Sequence, residues 1–272
     1  MTLAPSGTGS IQVGRAADMR DYAEIERLYR LVFGLRAGDG SVNARLLRAL
    51  DSNSGIVVVA RAGDALVGFA FSFLARDDVS GQLYQYSQTA ATTPALQGRG
   101  VGRALKWAQR DAALAGGVTL MRWAFDPMQA RNAHFNLDVL GARAGRFVRG
   151  MYGSVAAGHD AGDRTDRLIV DWNLLGADPP SVPDVPPLPD VPPLPEVLPE
   201  VGDARSVGAA TFVPVPACWA RTRAAGLAAA LELRNRIAEH VVRSLQDGLV
   251  AVSCRRVDDR RAVYVFRPAE EA

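Results

Sequence analysis

Lysine is nearly missing from this 272-residue chain: of 31 basic residues, only Lys106 is a lysine. The others are arginines, which never lose their charge and bind planar anions through paired hydrogen bonds. Cysteine is as scarce. Cys218 and Cys254 stand apart with no CxxC and no histidine pair nearby, so no metal is expected and both thiols are expected reduced. No apolar run approaches the roughly 20 residues of a membrane span, so no membrane partner is expected. A formal net charge of +2 is too small to make nucleic acid the main partner. The opening residues, MTLAPSGTGS, lack the basic-then-apolar pattern of a signal peptide. A disordered N-terminus over residues 1–10 and a cytoplasmic location are the expectations.

What is present is a mixed pattern of helix and strand. "IQVGRAAD" (11–18) alternates as a strand does, and "MRDYAEIERLYRLVFGL" (19–35) places Tyr22, Ile25, Leu28, Tyr29 and Val32 on one helical stripe. A second short helix is expected from Ser41. Two apolar strands flank Ala62-Gly63-Asp64, a hairpin signature, and "GQLYQYSQTAA" (81–91) reads as a third strand. A helix to about Ala115, a strand over 117–126, a helix over 130–140 and strands near 143–152 and 166–174 follow. The order predicts a mixed α/β (α+β) sheet rather than regular βαβ alternation.

The composition then changes. "DPPSVPDVPPLPDVPPLPEVLPEV" (178–201) holds ten of the sixteen prolines. It is expected to be an extended polyproline spacer without a packed core. Beyond it lie a strand, a long alanine-rich helix and a hairpin, which either form a small appended domain or return to the first sheet. The expected division is therefore a first domain over 11–175, a Pro-rich linker over 176–204 and a small α+β extension over 205–268.

"TTPALQGRGVGRALKWAQRDAAL" (92–114) sets Gly98, Gly100 and Gly102 where a helix begins. The P-loop spacing fails because Lys106 precedes Trp107, and a dinucleotide fingerprint fails because an antiparallel meander precedes the loop. Gln97, Gly100 and Gly102 do fill a Q/R-x-x-G-x-G/A signature. With the element order, residues 11 to about 174 resemble the Gcn5-related N-acetyltransferase (GNAT) superfamily. "FDPMQARNAHFNLDVLGA" and "GDRTDRLIVDW" further resemble an uncharacterised bacterial branch with a C-terminal extension.

That resemblance implies the GNAT acyl-CoA N-acyltransferase fold, acetyl-CoA as acyl-donor cosubstrate, and transfer of acetyl to a small-molecule or peptide amine by direct attack. The alternative is a non-catalytic acyl-CoA-binding regulatory module. The oligomeric state stays open. Gln97, Gly98, Arg99, Gly100, Val101, Gly102 and Arg103 would hold the diphosphate with bare amides, a helix dipole and guanidinium groups. For the arginines, a solvated helix face shared with Lys106 and Arg110 is the other reading. Backbone at Ala91, Thr92 and Thr93 would pair with the pantetheine arm. Asn132 stands where the family contacts the cofactor, or else caps a helix. The family's sulfur-protonating tyrosine is replaced by Leu137. His134 and Tyr152 are the expected catalytic substitutes, with Tyr84, Tyr86 and Asp126 as further cleft candidates.

Overall fold

A computed structural model of the protein describes residues 2–3, 10–36, 38–153, 164–176 and 191–269. The first "DVPPLP" repeat and residues 4–9 lie outside them. The described residues form two compact units: one runs to Trp123 and includes 173–176, and the other comprises 124–153, 164–172 and 191–269.

The sheet of the first unit runs in sequence order. β1 (Thr2–Leu3) pairs with β2 (Ile11–Arg15), which pairs with β3 (Ile56–Ala62), then β4 (Ala65–Arg76), β5 (Leu83–Thr92) and β6 (Leu120–Phe125). Thr2 and Leu3 thus belong to a strand within the stretch expected to be disordered. Helix α1 (Met19–Phe33) starts at Asp18, whose carboxylate accepts from the N–H of Arg20 and Asp21, and stops at Gly34. Its buried stripe Tyr22, Ile25 and Leu28 packs with Leu47, Val57, Val59, Phe69 and Phe71. Each such side chain contributes roughly 1.5–3 kcal/mol by leaving water. Helix α2 (Ala44–Ser52) is capped by Asn43, not by Ser41, because the Asn43 side chain accepts from Leu46 N–H at 2.8 Å. The hairpin at Gly63 (φ 58°) forms as expected.

Helix α3 (Val101–Ala115) packs close to β4 because Gly68 has no side chain. A Cβ there would lie 3.1 Å from both the Ala91 carbonyl oxygen and Leu105 Cδ1.

The second unit contains α4 (Ala130–His134) with a π-helical turn over Phe135–Val139, β7 (Arg143–Val148) and β8 (Arg167–Asn173). It continues with β9 (Arg205–Val207), β10 (Ala210–Pro216), α5 (Trp219–Ala225), α6 (Leu227–Gln246), β11 (Leu249–Arg256) and β12 (Arg261–Pro268). Its strands lie in the order β8-β7-β11-β12-β10-β9. The C-terminal strands therefore join β7, through Ala251↔Ala144. The alanine-rich helix is split at Gly226, the residue least suited to a helix interior after proline.

The proline-rich segment differs from a bare spacer where it is described. Val191, Leu194 and Leu198 pack against the core of Ala210, Phe212, Val252, Val263 and Val265. Polyproline geometry has three residues per turn, so Val191 and Leu194 share one face and can be buried together.

Candidate active site at a glycine loop

β5 ends at Thr92 and a 3-10 turn over Pro94–Leu96 follows. Thr93 donates its N–H to the Val67 carbonyl and accepts from Leu96 N–H, both at 2.9 Å. Antiparallel ladders alternate, so the N–H and C=O of Thr92 and Ala90 face the edge of β5 away from β4. This corrects the expectation for Ala91 and Thr93, whose backbone groups turn to β4, whereas those of Thr92 and Ala90 face the open edge.

That outer edge is joined to β6 only at Gln85↔Met121 and Tyr86↔Arg122. Among the described residues, 87–92 have no partner strand there. A bulge marks the parting: Ser72 pairs with Ser87 and Phe71 with Thr89, leaving Gln88 extra. Bulges bend a strand and end its pairing. Sequence reading missed this bulge.

Past the turn, residues 97–100 are exposed. Gly98 (φ 79°) and Gly100 (φ 82°) are left-handed, and Gly100 caps α3 without a side chain. A Cβ on Gly100 would meet nothing within 4 Å, so the space above it is open. The N–H groups of Gly98, Gly100, Val101 and Gly102 donate to no acceptor among the described residues. With the dipole of a 15-residue helix behind them, these amides present unpaired donors in a positive field, the chemistry an anion would require. Arg99 is exposed beside them and Arg103 is half-buried on the first turn.

Lys106 departs from the solvated-face reading, since it is only 3% exposed. Its Nζ donates to Ser87 Oγ at 2.8 Å, lies 3.8 Å from Met121 Sδ and sits 3.7 Å from the centre of the Trp123 ring. Ser87 Oγ in turn donates to Gln109 Oε1 at 3.0 Å. Burial alone pulls the amine down to about 7. Arg110, on the same helix, donates to the Leu174 carbonyl at 2.8 Å and covers Trp107. The signal for Lys106 was present in the sequence. A lysine can enter a core by giving up its proton, which an arginine cannot, and this chain uses lysine once.

The tyrosines of β5 are engaged as well. Arg122 covers Tyr84 at 4.3 Å and pairs with Asp77 at 2.9 Å, and Tyr86 packs on Phe73.

The other expected residues belong to the second unit. His134 Nδ1 lies 3.0 Å from Asp138 Oδ2 and 3.1 Å from the Cys254 carbonyl, and Asp138 raises its pKa. Tyr152 donates its N–H to Thr165 Oγ1 at 2.9 Å, and its half-exposed ring lies under Arg167. These contacts hold the His134 imidazole and the Tyr152 backbone and ring in place. Asn132 is exposed inside α4, so it caps no helix. Asp126 accepts from Met128 N–H, opening the turn before α4, and pairs with buried Arg234 at 3.1 Å. Leu137 is fully buried.

No protein-family model matches the chain, and no curated protein matches it. Solved structures do match. The element order and the open glycine loop define an acyl-CoA N-acyltransferase type of fold. More narrowly, the chain has the GNAT fold, as in yncA of Salmonella typhimurium, assigned as an acetyltransferase and solved with its cofactor acetyl-CoA. The two are 19% identical with a TM-score of 0.50, over 63% of this chain and 99% of that one. The ribosomal-protein-S18-alanine N-acetyltransferase of Escherichia coli matches at 14% identity and a TM-score of 0.47, over 63% of this chain and 99% of that one. NAA60 of Arabidopsis thaliana, solved with a bisubstrate analogue, matches at 13% and 0.47, over 60% and 97%.

Proposed function

We propose that the chain is an N-acyltransferase that moves an acetyl group from acetyl-CoA to a primary amine of a small molecule or peptide. One observation carries this reading: four unpartnered amides at an open, left-handed glycine loop stand at the end of a strand with a free edge. The residues fit the donor in kind. The amides of Gly98, Gly100, Val101 and Gly102 would take the diphosphate, with Arg99 and Arg103 adding charge. The backbone of Ala90 and Thr92 would hold the extended arm as an added strand. A thioester in that slot supplies an activated acyl group.

The chain's tasks then follow from the chemistry. A backbone N–H of the free β5 edge can meet the developing oxyanion. The attacking amine must be neutral, although a free amine of this type has a pKa of about 10. Desolvation at the slot favours the neutral form. Leu137, where the resemblance calls for a tyrosine, favours a second reading in which the chain binds acyl-CoA without turnover.

Incubation with acetyl-CoA and a panel of amines, following free thiol, separates the two readings. Turnover supports transfer, and binding without turnover supports the module. CoA at 100 times its dissociation constant is expected to stabilise the protein by about 2.7 kcal/mol. Absence of any such stabilisation removes both readings.

A further inference from the structure

We infer that Lys106 is the proton donor to the departing sulfur of the acyl donor. This rests on the acyl-CoA reading above.

The position is the first argument. Ser87 is the first β5 residue past the last β5–β6 pair, and Met121 and Trp123 flank the β6 member of that pair, Arg122. Lys106 Nζ touches all three side chains, so it bridges the two strands on the α3 side of the point where they part. An arm lying along β5 from Thr92 to Ser87 spans five residues, about 16 Å at strand rise. Its far end would come level with this ammonium.

The unmet hydrogen-bonding capacity is the second argument. An ammonium has three donors, and among the described residues Lys106 has one oxygen acceptor, Ser87 Oγ, with no carboxylate at hydrogen-bond distance. Gln109, fully buried and linked to the same Ser87, has an Nε2 without an acceptor. Buried donors left in this way cost free energy and are expected to have a use. An anionic sulfur at the apex would give Lys106 an acceptor.

The charged and titratable groups on the packed elements do not compete for the task. Tyr84 lies under Arg122, Arg122 is held by Asp77, and Arg110 is held by Leu174 and Asp111. Tyr86 packs on Phe73, and Arg103 sits one turn nearer the loop.

The step balances. As the amine nitrogen bonds to the acyl carbon, the C–S bond breaks and its electron pair stays on sulfur. Lys106 Nζ passes a proton to that sulfur, and the proton shed by the new amide nitrogen restores the ammonium. An amine held at about 7 is populated in both forms near neutral pH, so it can give a proton to the sulfur and take one back.

The test uses the whole protein with CoA and desulfo-CoA, which lacks the sulfur. Wild type is expected to prefer CoA by roughly 10-fold or more, the scale of one charge-assisted hydrogen bond. It should also lower the pH at which the bound thiol ionises, read by thiolate ultraviolet absorbance. Lys106→Met, which removes a buried charge, should bind both ligands equally and return the thiol to its free value, leaving desulfo-CoA affinity unchanged. Lys106→Gln is the second variant, and the wild-type titration needs neither. If CoA binds but its thiol titrates as in water, or if the variants keep the preference, the inference falls and the binding site stands. If neither ligand binds wild type, the acyl-CoA reading has failed and takes the inference with it.

Discussion

Lys106 loses its hydration on folding and gains no carboxylate, so its amine sits at about 7 instead of 10.5. Between those values the unfolded chain binds the extra proton, so stability rises with pH across that window. Below about 7 the full penalty is present, of order 3–5 kcal/mol. Lys106→Met is therefore expected to raise the melting temperature at neutral pH and to remove the rise in stability between pH 7 and 10.5. Denaturant midpoints across that range check this; an unchanged slope would mean the ammonium is solvated. His134 behaves oppositely. Asp138 raises its pKa above 6.5, so its contribution is present below that value and fades as pH climbs through the folded value. His134→Ala should cost stability in acid and little in base. A pH-independent cost would show that Asp138 is not its partner. The thiols differ in access: Cys218 is exposed, whereas Cys254 is buried with its pKa pushed well up. Native labelling should modify Cys218 alone.

At the scale of elements, much was legible. The 3.6-residue stripe of Tyr22, Ile25 and Leu28 defines α1, and the glycines before Val101 locate the start of α3. The parting of β5 from β6 was not legible, because the Gln88 bulge depends on register with Phe71 and Ser72, which no local pattern specifies. The proline repeat misled for a related reason. Its composition forbids a core of its own, yet Val191, Leu194 and Leu198 complete another. Leu194→Ala should accordingly destabilise the second unit by about 1–3 kcal/mol, read by chemical denaturation, where a free spacer would show no change.

For the chain as a whole, the fold class was readable, as was the left-handed loop before α3, because that loop rests on backbone conformation, which glycine spacing reports. The use of the C-terminal segment was not, since β11 joins β7 through residues more than a hundred positions apart. Truncation after residue 176 would strip β7 of β11 and leave Asp126 and Asp138 without Arg234, Ser253 and the Cys254 amide. Such a chain is expected to be insoluble; a soluble, cooperatively unfolding fragment would show the segment to be dispensable.

The central claim concerns the bare amides at residues 98–102, and calorimetric titration of CoA into wild type and Gly100→Val tests it most directly. Valine at φ 82° is strained but meets no neighbour, so the variant should fold with a loss of about 1–3 kcal/mol. Saturable binding to wild type that disappears in a folded Gly100→Val is the expected result. Equal binding to both, or to neither, would contradict the account.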